Sequence, residues 1–174
     1  AMRGAVDAAA LDPVEVAGLP EATVVVLTAD GRLVAVPADD VFDGQTDPVV
    51  LELGAAASRM LYDREAGRLW VARARPRDVV PVDLVAMLAG QPALGEPIPT
   101  PFAARDLALD AEGALWAVTD RGLERAGPEG FQVRFSGRIN TAAALPAGLY
   151  GSVPVAVGTA GRVEITDGTG ALLD

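Results

Sequence analysis

Trp116-Ala117-Val118-Thr119-Asp120-Arg121-Gly122 is a short apolar strand that runs into a tight turn, and three other segments repeat its outline. They are Val25-Val26-Leu27-Thr28-Ala29-Asp30-Gly31, Trp70-Val71-Ala72-Arg73 and Val155-Ala156-Val157-Gly158-Thr159-Ala160-Gly161. In chain order the first residues of the four lie 45, 46 and 39 positions apart. Recurrence at such a period means repeated structure, in which each unit needs its neighbours to bury its faces.

The units share an internal order. Leu61-Tyr62-Asp63-Arg64-Glu65-Ala66-Gly67 precedes the second anchor, and Leu107-Ala108-Leu109-Asp110-Ala111-Glu112-Gly113 precedes the third. In each, a strand enters a turn that Asp opens and Gly closes with positive φ. Gly31, Gly122 and Gly161 mark a second turn six residues into their anchors, and a third strand follows: Arg32 to Val36, Leu123 to Arg125, Arg162 to Ile165. Outer strands are expected over Val49 to Leu53, Phe131 to Phe135 and Ala171 to Leu173, with period-2 alternation clearest in Phe131, Val133, Phe135. Val82 to Ala89 is an apolar run that the repeat register assigns to strand rather than helix. Gly90 to Pro101, with four prolines, reads as an extended connection between units.

Groups of three or four strands at ~40–50 residue spacing are the pattern of propeller blades. The expected fold is all-β and β-propeller-like: one domain over 1–174, with four blade-type units at about 11–54, 55–100, 101–140 and 141–174. It would form a small four-bladed ring or a partial propeller, possible closures being the Val6 to Val16 segment paired into the fourth unit or a second copy completing the ring as a homodimer.

Composition narrows the function. The formal charge is −10, from 24 acids and 14 bases, all of the latter arginine, as GC-rich coding favours. Such a surface repels phosphate backbones, so nucleic acid is not an expected partner unless the arginines converge. No run approaches the ~18 apolar residues of a membrane span. With neither Cys nor His, thiolate chemistry and the commonest general base are removed. Ser58, Ser136 and Ser152 lie outside any G-x-S-x-G, and there is no G-x-G-x-x-G or Walker pattern. Asp167-Gly168-Thr169-Gly170 reads as a hairpin turn. Ala1 ahead of Met2 has the look of a remnant of tag removal, so the missing signal peptide says nothing about compartment.

Each charged cluster has a plain and a functional reading. Asp63 and Asp110 hold equivalent turn positions, which favours capping over catalysis. Asp39, Asp40, Asp43 and Asp47 surround Gly44, but position twelve counted from Asp39 is Val50 rather than the Glu of a calcium loop, so a solvated acidic turn is expected and no metal or cofactor. Arg73, Arg75 and Arg77 alternate. On a strand they would project to one side and could hold a carboxylate, a phosphate or an acidic partner, the plain reading being that Asp78 and neighbouring acids neutralise them. Asp120 and Arg121 fall in the matching loop of the next unit and join them as candidate binding residues.

Leu115-Trp116, Thr119, Gly122-Leu123 and the later Phe131 resemble the two-component-regulator propeller repeat, and NHL-type and lactonase-type propellers share much of that pattern. Gly67-Arg68-Leu69-Trp70 keeps the front half, with Arg73 in the Thr position; the first and fourth units lack Trp. The resemblance implies a sensory or protein-binding module, with an extracytoplasmic setting slightly favoured. The expected function is therefore non-enzymatic: rim loops that contact a protein partner or a small acidic ligand. The alternatives are a metal-assisted hydrolase of the lactonase type, with Asp106 and the Asp43 group as its acids, and a structural segment of a larger envelope protein.

Overall fold

The computed structural model describes residues 4–14, 16, 18–41, 47–144, 155–159 and 162–166. Four antiparallel sheets follow one another along the chain. The first is β1 (Ala5–Leu11), β2 (Thr23–Thr28), β3 (Arg32–Pro37) and β4 (Val49–Glu52). The second is β5 (Ala57–Asp63), β6 (Arg68–Arg73), β7 (Asp78–Val82) and β8 (Ile98–Pro99), and the third is β9 (Ala104–Leu109), β10 (Leu115–Thr119), β11 (Gly122–Gly127) and β12 (Gly130–Ser136). The fourth has three described strands, β13 (Thr141–Ala144), β14 (Val155–Thr159) and β15 (Arg162–Thr166). Each sheet is paired in chain order. Every repeat anchor is thus the second strand of its sheet.

Period-2 alternation on those second strands builds the core. On β6, Leu69 and Val71 face the first sheet while Trp70 and Ala72 face the third. On β10, Leu115 and Ala117 face the second sheet while Trp116 and Val118 pack with Ile139 and Ala142 at the start of the fourth. The second and third sheets each lie between two neighbours, as propeller blades do, and the innermost strands pack in succession, β1 on β5, β5 on β9 and β9 on β13. The arrangement fits a partial propeller of four blades.

The turns hold for local reasons. Asp63 Oδ1 accepts from the Ala66 N–H at 3.0 Å, and its Oδ2 accepts from Trp70 Nε1 at 3.2 Å. Asp110 repeats the device: Oδ1 accepts from the Glu112 and Ala114 N–H groups at 3.0 and 2.8 Å, and Oδ2 accepts from Trp116 Nε1 at 2.8 Å. One carboxylate closes the turn and satisfies the indole of the next strand, so both aspartates are structural. Gly31 and Gly122 do a different job at the second turn. A Cβ on Gly31 would overlap the Ala55 carbonyl, and one on Gly122 the Phe135 carbonyl, because the outer strand ends against each turn.

Three expectations are corrected. Asp78–Val82 is the third strand of its blade, and the run after it is helix α1 (Leu84–Leu88), not strand. Asp83 caps α1, its Oδ1 accepting from the Ala86 N–H at 3.0 Å, while Leu84 and Met87, three residues apart, enter the core between the first two blades. Gly90 to Pro101 is more than a connection, since Ile98 and Pro99 pair with Val79 and Asp78 as the blade's outer edge, where proline needs no ladder donor. Finally, β1 pairs with β2, Ala8 opposite Val26, so the segment starting at Val6 belongs to the first blade and not to the fourth. Gly161, the turn at Asp167 to Gly170 and the strand expected at Ala171 to Leu173 lie outside the described residues. No helix among the described residues is long and apolar enough to cross a membrane.

The steric role of the second-turn glycine is testable. Gly122→Ala should lower stability to urea by about 2 kcal/mol or more, since backbone and not a flexible side chain occupies the space. Gly54→Ala, at positive φ but in open space, should cost only the ~1–2 kcal/mol of a left-handed conformation. Equal losses in the two variants would refute the steric argument.

Candidate functional site

The candidate arginines do not form the one-sided row that alternation suggested, because β6 ends at Arg73 and residues 74–77 form a turn. Arg73 is taken up by structure. Its Nε and one terminal nitrogen donate to the two Asp78 carboxylate oxygens at 2.7 Å each, and the other terminal nitrogen donates to the Leu53 carbonyl at 2.8 Å. Pair and bridge are nearly buried, and the bond to Asp78 raises the pKa of Arg73 above its ordinary value. Arg75 and Arg77 are exposed on the turn. Arg77 donates to the Pro101 carbonyl at 3.4 Å, and the Arg121 guanidinium lies 5.5 Å from the ring centroid of Phe102. The connection between second and third blades therefore sits between Arg77 and Arg121, which brings these two candidates to the same rim. Asp120 is ion-paired with Arg105.

The antiparallel topology sorts the remaining charges. Second-to-third-strand turns and blade-to-blade connections all fall at one end of the strands; first-to-second and third-to-fourth connections fall at the other. Among the described residues, the first end exposes Arg32, Arg75, Arg77, Arg105, Arg121 and Arg138 against Asp30, Glu52 and Asp120. Two of those acids are already paired, Asp30 with Arg32 and Asp120 with Arg105. The opposite end exposes Asp12, Glu21, Asp39, Asp47, Glu65, Asp83, Glu96, Glu112 and Glu129 against Arg64 and Arg68. Asp39 lies in a 3-10 turn at Ala38–Asp40, and Asp43 lies outside the described residues.

A second constellation was invisible to motif reading. Strands β1, β5 and β9 each carry a register shift, after which come Asp7, Arg59 and Asp106, opposite Leu27, Ala72 and Val118. Those partners are equivalent positions of the repeat, so the irregularity aims one charged side chain per blade at the innermost line. Arg59 Nε donates to Asp106 Oδ1 at 2.8 Å and lies 3.5 Å from Asp7 Oδ2, which also accepts from the Met60 N–H at 2.9 Å. Thr141 Oγ1 donates to Asp106 Oδ2 at 2.5 Å. The first three innermost strands are thus joined by alternating charge, and the fourth by the Thr141 hydroxyl. Ser58 adds an inter-blade bond of 2.8 Å to the Ala104 carbonyl. Among the described residues no three acids converge as metal ligands would. Asp106 faces inward, as a lactonase-type centre would need, but its oxygens are engaged by Arg59, Thr141 and the Leu107 N–H.

One ionisable group is both buried and half-satisfied. Glu124 on β11 has no exposed surface; Oε1 accepts from Thr119 Oγ1 at 3.0 Å, and Oε2 has no partner. Burial pushes its pKa above the ordinary 4.5, and the Thr119 bond opposes that only in part.

No family model matches the sequence, and no curated protein matches it. Solved structures do match in shape, and they are β-propellers. The BBS1 N-terminal domain, solved in complex with ARL6, superposes with TM-score 0.66 at 14% identity over 98% of this chain and 53% of that one. Hydrazine synthase of Kuenenia stuttgartiensis gives 0.61 at 13% over 87% and 45%, and a protein of unknown function from Bacteroides caccae gives 0.60 at 14% over 87% and 56%. The chain spans about half the length of these structures. At such identities the likeness establishes the fold alone, a β-propeller.

Glu124 makes stability depend on pH with a defined sign. A carboxyl whose folded pKa is raised stabilises fully below its unfolded value, here 4.5, and loses that contribution as pH rises through the folded pKa. Glu124→Gln keeps the acceptor for Thr119 without the charge. Its melting temperature should therefore match wild type below pH 4.5 and exceed it increasingly toward neutrality. A gap that is constant across pH would exclude a buried, destabilised carboxylate.

Proposed function

We propose that this propeller is a non-enzymatic binding module whose arginine-bearing end contacts an acidic protein surface. The observation that carries this reading is the separation of charge between the two ends of the strands. Arg75, Arg77 and Arg121 stand on turns held by short hairpins, so their placement costs little ordering on binding. Planar guanidinium groups suit carboxylates through paired hydrogen bonds. A long polyanion would also meet the acidic end and the net charge of −10, whereas a compact acidic surface need touch only the rim. A structural relative, the BBS1 N-terminal domain, was solved with a protein partner, which is consistent with use of such a scaffold for docking.

The charge pattern and the docking role can be tested in turn. Despite its negative total, the protein should be retained on a cation exchanger at low salt, and Arg75→Glu/Arg77→Glu/Arg121→Glu should flow through. A partner that co-purifies with wild type should be an acidic protein, should dissociate as ionic strength rises toward ~0.5 M, and should be absent from the triple variant. A partner kept by that variant, or preferential recovery of nucleic acid, would overturn the proposal.

A further inference from the structure

We infer that the pocket between the third and fourth blades, on the arginine-bearing end, binds a small organic carboxylate, with Arg138 and Asn140 as its anchors. The pocket has a volume of about 450 Å³ and is lined by Arg105, Asp120, Arg138, Ile139 and Asn140. Asp120 already neutralises Arg105, while Arg138 has no ion pair among the described residues. The pocket therefore carries one uncompensated positive charge, enough for one carboxylate. The Asn140 side chain stands beside that charge as a neutral donor.

Two features select an organic acid over inorganic phosphate. Ile139, among the residues that line the pocket, packs into the core with Trp116 and Val118, so the site backs onto apolar side chains. Two backbone bonds cross this connection: Gly137 N–H donates to the Arg121 carbonyl at 3.1 Å and Asn140 N–H to the Gly158 carbonyl at 2.7 Å. A single unpaired guanidinium matches the charge of one carboxylate group better than that of phosphate, which carries more than one charge at neutral pH. The same bonds tie the connection over residues 137–140 to the turn between β10 and β11 and to β14, so the anchors are held before a ligand arrives.

Asp120 competes with the ligand. A carboxylate entering the pocket meets its charge, and removing that charge also releases the Arg105 guanidinium as a second anchor. Asp120→Asn should therefore tighten binding, an effect that a merely structural role would not produce. The inference shares the arginine-bearing end with the docking proposal but neither its ligand nor its residues, as Arg75, Arg77 and Arg121 do not line the pocket.

Titration calorimetry on the full chain, at low salt, with benzoate, succinate and inorganic phosphate decides the matter. Benzoate and succinate should bind wild type more tightly than phosphate does. Arg138→Ala should weaken both by about tenfold or more, as loss of a charge-assisted contact does. Asp120→Asn should strengthen both several-fold, and Asn140→Asp, which adds a negative charge, should abolish binding. Arg75→Ala/Arg77→Ala should leave carboxylate binding unchanged while weakening partner capture, which separates the two proposals. Thermal melts of each variant check folding. Absence of carboxylate binding by wild type at millimolar concentration, unchanged affinity in Arg138→Ala, or phosphate bound as tightly as benzoate would overturn the inference.

Discussion

A blade sheet is apolar on both faces, and nothing within the sheet can cover either one. That constraint organises the molecule. On β10 the alternation Leu115, Trp116, Ala117, Val118 divides one strand between two separate cores, and β6 does the same with Leu69, Trp70, Val71 and Ala72. A blade is therefore held by its neighbours more than by its own contacts, and its stability is shared along the array. The first blade shows the rule from its other side. Ala8, Val26, Val34 and Val50 lie in register across the face turned away from the second blade, so that face too is built of apolar residues.

What could be read from the chain follows from which interactions are local. The four anchors announce themselves because period-2 alternation and the Asp and Gly turn positions act within about ten residues. Strand β1 was harder to place, since Ala8, Ala9 and Ala10 offer no contrast between faces. The two residues of β8 are too few for any period, and the prolines in and around them argue for a connection until Val79 and Asp78 are seen beside them. Helix α1 did carry a signal: Asp83 as cap, Leu84 and Met87 at helical spacing, Gly90 beyond. The repeat register outweighed it there because a blade was expected to have a strand at that point, and the strand had already finished at Val82.

The candidate site divides in the same way. Alternating Arg73, Arg75 and Arg77 share a face only on an extended strand, and the turn after Arg73 removes that condition. Asp78, five residues on, was the visible partner. Comparison across blades explains the pairing. Thr28, Arg73 and Thr119 hold the same repeat position at the end of a second strand, and each closes the hairpin by a side-chain bond. Thr28 Oγ1 accepts from the Arg32 N–H, Thr119 Oγ1 accepts from the Arg121 N–H, and Arg73 donates to Asp78 across a longer turn. Arg73 is thus a structural answer to a problem that threonine solves elsewhere. Asp7, Arg59 and Asp106 could be aligned only through the bulges that precede them, which depend on pairing between strands and leave no mark in sequence.

Net charge conceals the feature on which the functional reading rests. In sequence the acids and arginines are interleaved, and their sum of −10 describes a repulsive surface. Antiparallel folding sends successive turns to opposite ends, so residues adjacent in sequence part company in space. A six-residue strand such as β6 spans about 20 Å, which is twice the ~10 Å screening length at 0.1 M salt. The two ends are then electrostatically independent, and a partner approaching the arginines meets little of the acidic end. Charge of one sign at one end orients an encounter, because the opposite face repels the partner that the first attracts. On this scaffold the proposed specificity for an acidic partner would require no special fold: it would follow from which of two alternating sets of turns received the arginines.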